Sequence, residues 1–433
     1  VQNVLDICVA VTVDGKVRPL DDKLRQEIEA RFEGWSSQGF RVLAIATRQV
    51  ELKDRYGRED ESGLMLGGFL LFLDPPKPGI AEALKAMATR GIAIKLITGD
   101  NRYVAKHLAE QVGLKHGRIV TGADLAHMTT EALTARAART DLFVEIDPNQ
   151  KERIIHSLRN SGYIVGYMGD GINDAPALHE ADIGISVDSA VDVARDAADM
   201  ILLKRDLNVL LLGIDQGRKT FANTMKYISI TTSANFGNMI SMAFASLFLP
   251  FLPLLAKQIL LNNFLSDLPS LAIASDNVDP DQTERPKRWD IGYISRFMIG
   301  FGLVSTLFDF VTFGFLLLVM KTDAATFQTA WFVESLLTEL GIVMVIRSRT
   351  LFGTTAPSAL LGWLTVGTGL LAISIPYLPY ADEFGFVPLS PSIMAGLLVI
   401  TLLYLVASSA MKSVFYRYED QRPHPKRLIA KHN

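Results

Sequence analysis

Residues 169–174 read Gly169-Asp170-Gly171-Ile172-Asn173-Asp174 and follow directly on the apolar run 163–168. An apolar run that closes on a glycine-flanked carboxylate reads as the end of a strand in a parallel α/β sheet, where ligands gather outside the carboxyl ends of the strands. Working outward, other short apolar runs close in the same way. Strands are expected over 68–73, 92–97, 142–145, 163–168, 183–186 and 200–203, alternating with helical stretches. The first ends at Asp74, the second at Thr98-Gly99-Asp100 and the fourth at Asp170, so three polar signatures are expected to converge on one crevice.

Each residue type in these signatures has a chemical use. Asp170 is a hard oxygen ligand and Asp174, four residues later, is a second; such a pair suits Mg²⁺, which keeps several of its waters. Gly171 lets the backbone approach closely, and Asn173 can cap the following helix or hydrogen-bond a phosphate. Thr98 offers a hydroxyl, and Gly99 an unhindered amide, to a phosphoryl oxygen. Lys151, in Asp147-Pro148-Asn149-Gln150-Lys151, begins a helix and can bring one positive charge to the same group. Taken singly, a Thr-Gly-Asp is a turn, Asp74-Pro75-Pro76 ends a strand, and a lysine at a helix start is solvated. The order of the three signatures, with the hexapeptide at a strand end, is what points to a phosphate site.

A chain of 433 residues is too long for one ordinary domain, and its composition changes sharply near residue 227. The single cysteine, Cys8, excludes an internal disulfide and a thiolate zinc cluster; it is expected to be a small buried residue. A net charge of −3 with dispersed basic residues gives no nucleic-acid surface, so no nucleic-acid partner is expected. The first residues, Val1-Gln2-Asn3-Val4-Leu5-Asp6, have no initiator Met and no signal-peptide pattern, so the chain is expected to begin in mid-domain.

Six later stretches are long and apolar enough to span a bilayer: 227–249, 254–275, 297–320, 327–346, 359–378 and 389–411. Lys219 and Lys226 precede the first. Arg285, Lys287, Arg288 and Arg296 lie between the second and third, Arg347 and Arg349 follow the fourth, and Lys412, Arg417, Arg422, Lys426 and Arg427 follow the sixth. The opposite loops hold little beyond Lys321, Asp382 and Glu383, so both ends of this half are expected in the cytosol. The basic tail 416–433 suits either anionic lipid or solvent. Inside the spans, Asn235 and Asn238 share a helix face, as do Asn263 and Asp267. Pro269 should free the carbonyl of Leu265, while Glu334, Glu339 and Asp309 add carboxylates. Such groups either line an ion path or hold helices together.

Together, Asp74-Pro75-Pro76-Lys77, Thr98-Gly99-Asp100, Lys151 and the hexapeptide resemble the phosphorylation domain of P-type ATPases, a branch of the haloacid-dehalogenase-like fold; the membrane half matches that family too. The resemblance implies an α/β Rossmann-like phosphorylation domain over 67–205 and the later part of a nucleotide-binding domain over 1–66. It further implies a stalk helix over 206–226, six transmembrane helices over 227–411 and a basic tail over 412–433. ATP and Mg²⁺ are the implied cofactors. The strand Phe40-Arg41-Val42-Leu43-Ala44-Ile45-Ala46 looks like the one whose arginine contacts ATP, so Arg41, with Asp74, Thr98, Gly99 and Lys151, is assigned to the nucleotide and its phosphate. Asn235, Asn238, Asn263, Asp267 and Glu339 fall where this family builds its transport site, with an amide at 238 where calcium pumps carry an acid.

The stretch Leu261-Asn262-Asn263-Phe264-Leu265-Ser266-Asp267-Leu268-Pro269 looks most like the bacterial magnesium-transporting branch. That implies Mg²⁺ import into the cytosol across the inner membrane, with the proton-pumping branch as the alternative. The family's phosphorylated aspartate lies in an Asp-Lys-Thr-Gly-Thr segment, which these residues do not contain. In the related fold its strand lies between those leading to Thr98 and Asp170, so these two are expected to lack a neighbour. The expectation is a carboxy-terminal piece that needs the amino-terminal half of the pump and cannot hydrolyse ATP alone. A truncated or split inactive pump, and a phosphatase with an unrelated membrane anchor, are the readings from other classes.

Overall fold

The computed structural model describes residues 1–13, 15–50, 53–204, 206–284, 286–287, 289–349 and 355–422. The chain divides into two compact units, one built on Val1–Leu212 and the other on Gly213–Lys426.

In the first unit, α1 (Gln2–Leu5), β1 (Cys8–Val13), β2 (Lys16–Pro19), α2 (Asp22–Ser37), β3 (Phe40–Thr47) and β4 (Leu64–Leu73) form a sheet of order β2-β1-β4-β3 with flanking helices. Leu5, Cys8, Val11, Ile28 and Leu66 make its core, so Cys8 is the small buried residue expected. Leu43, Ile45, Leu70 and Phe72 share the opposite face of the β3–β4 ladder and are exposed. The run 68–73, expected in the parallel phosphate-site sheet, is instead the second half of β4. Its antiparallel pairing with β3, from Phe40 opposite Leu73 to Thr47 opposite Met65, covers the whole of β3 and holds it here.

Beyond Pro75 and Pro76, which cannot continue a ladder, the first unit becomes the expected parallel α/β structure. Helices α3 (Ile80–Thr89), α4 (Arg102–Gln111), α5 (Gly122–Ala126), α6 (Thr130–Ala137), α7 (Pro148–Asn160), α8 (Ala175–Glu180) and α9 (Asp192–Asp196) surround two three-stranded sheets. One has the order β5 (Leu96–Ile97), β7 (Leu142–Val144), β6 (Ile119–Thr121); the other has β10 (Met200–Leu202), β9 (Ile183–Val187), β8 (Gly166–Met168). Every pairing in them is parallel. A single buried cluster including Phe143, Ile146, Ile154, Tyr167, Leu178, Ile185 and Val187 packs against both. Among the described residues, β5 pairs only with β7 and β8 only with β9. These are the two strands expected to lack a neighbour. The three-residue β6 was not expected; Ile119-Val120-Thr121 is too short for a period, and its one signal is the capping box from Thr121 to Asp124 that opens α5.

The second unit is helical: α10 (Leu207–Phe248), α11 (Ala256–Ala272), α12 (Pro280–Thr283), α13 (Ile291–Gly314), α14 (Ala324–Ile346), α15 (Ala359–Ser374) and α16 (Pro391–Gln421). By length and composition, four segments among the described residues can cross a membrane: Ile291–Val319, Ala324–Ile346, Ala359–Tyr377 and Pro391–Gln421. The stretches 227–249 and 254–275, expected as two further spans, lie in α10 and in the 17-residue α11 with its short continuation, and fall short of that measure. Their amides, Lys257 and Asp267 dilute the apolar character. Helix α14 is the most enclosed, with 72% of its apolar window buried against 28–33% for the other three. It packs against α11, α13, α15 and α16.

Two lysines expected as loop cations are buried instead. Lys226 donates to Asp276 Oδ2 at 3.1 Å, and Lys412 donates to the carbonyls of Val345 and Ser348. Arg347 also reaches Asp276, at 3.2 Å, and Asp279 accepts from the Ser348 and Thr355 hydroxyls. Arg285, Arg288 and the tail from 423 lie outside the described residues.

Candidate functional site

The hexapeptide gathers its partners around Asp174, which is 9% exposed. Its Oδ1 accepts from Lys151 Nζ at 2.7 Å and from the Tyr167 hydroxyl at 2.7 Å, and its Oδ2 accepts from the Gly171 amide at 3.1 Å. Burial by itself would raise the Asp174 carboxyl, but the Lys151 ammonium, the phenol and the amide outweigh it and hold the group below the usual carboxylate range. Burial, reinforced by Asp174, pushes the Tyr167 phenol well above its ordinary value, so it remains a donor. Lys151 is delivered by the first turns of α7, where Asp147 and Gln150 form a capping box and Pro148 sets the backbone. A Cβ on Gly169 would stand 2.5 Å from Asp174 Cβ, so glycine is needed for this approach. Tyr167 was not among the expected site residues; the strand alternation that turns it inward with Asp174 is its only sequence signal.

The two carboxylates therefore differ. Asp170 and Asn173 are exposed at the end of β8, while the Asp170 carbonyl accepts from the Val191 amide. Asp174 has both oxygens engaged within the protein. Among the described residues no three His, Cys, Asp or Glu side chains form a metal cage. That donor set fits Mg²⁺, which binds through one or two carboxylates and takes its remaining oxygens from water and phosphate.

A second cluster forms beyond β5. Thr98 Oγ1 donates to Asp100 Oδ2 at 3.0 Å and accepts from the Asp100 amide at 3.1 Å. Arg41 Nη2 donates to the same Oδ2 at 2.8 Å, and Asp74 is close enough for its charge to act on Arg41. Gly99 is exposed beside them. Glu145, just past β7, has φ 59°, a strained left-handed conformation for a non-glycine residue, and its amide donates to the Asp100 carbonyl. Nothing in the sequence distinguished Glu145. Hydrogen bonds thus sort the expected residues into two groups, Arg41–Thr98–Asp100 and Lys151–Asp174.

In the helical unit, Asn238 Nδ2 and Asn262 Nδ2 both donate to Glu339 Oε1, the latter at 3.4 Å, and Ser266 also reaches Glu339. Asn235, Asn263 and Asp267 are exposed and lie outside this group. The buried face of α11 carries Gln258, Asn262, Leu265, Pro269 and Ala272. Asn263 and Asp267 do share a face, as their spacing requires, but it is the neighbouring one. Asn262, not Asn263, is the amide that turns toward α14.

Two family models match the chain: haloacid dehalogenase-like hydrolase over residues 13–182, and cation transporting ATPase, C-terminus, over residues 251–414. The chain is 42% identical over 422 residues to a protein of Escherichia coli K12 described as "Magnesium-transporting ATPase, P-type 1", covering 96% of this chain and 47% of that one. It is 36% identical over 425 residues to a protein of the same description from Salmonella typhimurium LT2. A "Calcium-transporting ATPase 1" of Lactococcus lactis is 28% identical over 437 residues. The chain spans about half the length of the curated relatives it matches. The phosphate-site signatures on a haloacid-dehalogenase-like unit, followed by apolar helices that match the cation-transporting model, agree with this likeness along nearly the whole chain: it belongs to the P-type ATPases and is similar to their bacterial magnesium-transporting members.

Proposed function

We propose that the chain is part of an ATP-driven pump that imports Mg²⁺ into the cytosol through an aspartyl-phosphate cycle, with the phosphorylated aspartate carried on a strand that these residues do not contain. The observation that carries the reading is the Lys151–Asp174–Tyr167 cluster at the end of β8, in a unit where β5 and β8 each have an unpaired side. A strand seated between them would bring its carboxyl end beside Thr98, Asp170 and Lys151. In this reading Asp170 holds Mg²⁺, whose chemistry when bound is to neutralise charge on the transferring phosphoryl group. Asp174 fixes Lys151, which places a positive charge on that group. Thr98, Gly99 and Asn173 supply donors, and Arg41, with Asp74, meets the nucleotide once it leaves Asp100. The exposed face of Leu43, Ile45, Leu70 and Phe72 fits a partial nucleotide-binding domain whose other part covers it.

For the transported ion, Glu339 with Asn238 and Asn262 offers several oxygens and a single carboxylate, which suits an ion that keeps some water. Asn235, Asn263 and Asp267 complete the set when a further helix covers their exposed faces. A proton carrier needs a titrating acid with a positive counter-charge, and among the described residues neither Lys nor Arg is a hydrogen-bond partner of Glu339, which favours Mg²⁺. The proposal includes six crossings, with α10 and α11 supplying two, both ends in the cytosol, and a bacterial inner membrane around them.

The test uses radiolabelled ATP on membranes containing the whole pump and, separately, this chain. The whole pump should form an acid-stable phosphoenzyme that Asp170→Asn abolishes, and the chain alone should form none. A phosphoenzyme on the chain alone would overturn the placement of the acceptor. Normal phosphorylation without Mg²⁺ uptake would overturn the choice of ion.

A further inference from the structure

Away from Glu339, a second polar seam runs between α13, α14 and α16. Asp309 on α13 is 2% exposed; its Oδ1 accepts from the Trp331 indole at 2.9 Å and its Oδ2 from the Ser241 hydroxyl at 2.5 Å. Both oxygens are thus turned to donors, as an ionised carboxylate requires. Glu334, one turn beyond Trp331 on α14, is 1% exposed and close enough to feel the Asp309 charge. Its Oε2 and the buried Thr312 Oγ1 make no hydrogen bond of ordinary geometry, yet the Thr312 hydroxyl stands close enough to act on the Glu334 carboxyl.

Among the described residues, the groups that act on this pair are neutral or acidic. Tyr404 comes from α16, Thr312 from α13, Ser241 from α10, and Trp331 and Glu339 from α14, while Ser305 and Ser408 lie against Tyr404. The buried lysine nearest in the fold's order, Lys412, is tied to the Val345 and Ser348 carbonyls, and residue 345 lies about 16 Å along α14 from residue 334 at 1.5 Å per residue. Two buried carboxylates with no cation between them cannot both stay charged in a low-dielectric interior. Asp309 has its donors; Glu334 has an oxygen short of a partner and the Thr312 hydroxyl facing it.

We propose that Glu334 and Asp309 form a proton-binding site, with the proton on Glu334 Oε2, the ionised Asp309 held by Ser241 and Trp331, and Thr312 Oγ1 as acceptor of the Glu334 hydroxyl. The proton comes from water and no bond other than O–H is made or broken. The site is separate from the amide and carboxylate group at Glu339, and it does not depend on which cation is carried.

Infrared spectroscopy of the chain in lipid nanodiscs at neutral pH tests this. The unmodified protein minus Glu334→Gln should show the carbonyl-stretch band of a protonated carboxylic acid, and Glu339→Gln should retain that band. Should Glu334→Gln fail to fold, carboxyl-labelled glutamate in the unmodified chain and in Glu339→Gln should shift the band, whereas labelled aspartate should not. A difference spectrum without the band, or a band that moves with labelled aspartate, would overturn the proposal.

Discussion

At the scale of single residues, Asp174 is a buried carboxylate with both oxygens engaged inside the protein. Its two strongest partners, Lys151 and Tyr167, are themselves largely enclosed, so replacing either leaves a buried oxygen short of a donor. Tyr167→Phe should cost about 1.5–3 kcal/mol, the range for hydrogen bonds to charged groups, read as a lower urea midpoint of the first unit. The Asp174 carboxyl is held below the ordinary aspartate value of 3.8, so the stability it adds is present above that value and lost as pH falls through its lower folded value. Lys151→Ala should therefore flatten the fall in stability below 3.8, which urea midpoints at neutral and acid pH would measure. In the whole pump the same variant should slow phosphoryl transfer by about 10²–10³-fold, the usual effect of removing one donor to a transferring group. Unchanged phosphorylation of that variant would end the role given to Lys151.

At the scale of elements, the ends of the membrane helices are fastened by buried charge rather than by loops. Asp276, wholly buried, takes Lys226 from α10, Arg347 from the end of α14 and the amide of Ser358 ahead of α15. Burial by itself would raise this carboxyl, but the Ser358 amide and the two cations hold it low. Asp276→Asn leaves two buried cations without their counter-charge and should cost about 3–5 kcal/mol, seen as a lower thermal midpoint in detergent; Lys226→Met in the same background should restore part of it. Loop cations are ordinarily evidence of which side of the membrane a loop occupies, and here Lys226 and Lys412 also serve as structural pins. Sequence position alone cannot separate these uses, because both place lysine at a helix end. The helix period has the same limit in α11: a spacing of four puts Asn263 and Asp267 on one face, but which face turns inward is decided by the packing of Leu265 and Pro269 against neighbouring helices.

At the scale of the molecule, among the described residues β5 and β8 of the parallel α/β part each have an unpaired side, as the outer strands β6 and β10 do. Amide exchange should be faster on the unpaired sides of β5 and β8 than in β7 and β9, which are paired on both sides; equal protection of all four strands would contradict the open edges. Most of this architecture was legible from short patterns. Glycine-flanked carboxylates at the ends of apolar runs located β5 and β8, the segment 147–151 located the start of α7, and long apolar stretches located the four helices that can cross a membrane, because each is a local consequence of backbone geometry or of transfer out of water. What the sequence by itself determined was the family, the chemistry available at Thr98, Lys151 and Asp170, and the presence of a membrane part. Tertiary structure alone decided that 68–73 joins β3 and not the parallel α/β sheets, that Asn262 replaces Asn263 beside Glu339, and that Asp309 and Glu334 come within reach of each other's charge across α13 and α14. Each of these depends on which distant segment fills the space beside a residue, and no local periodicity encodes that.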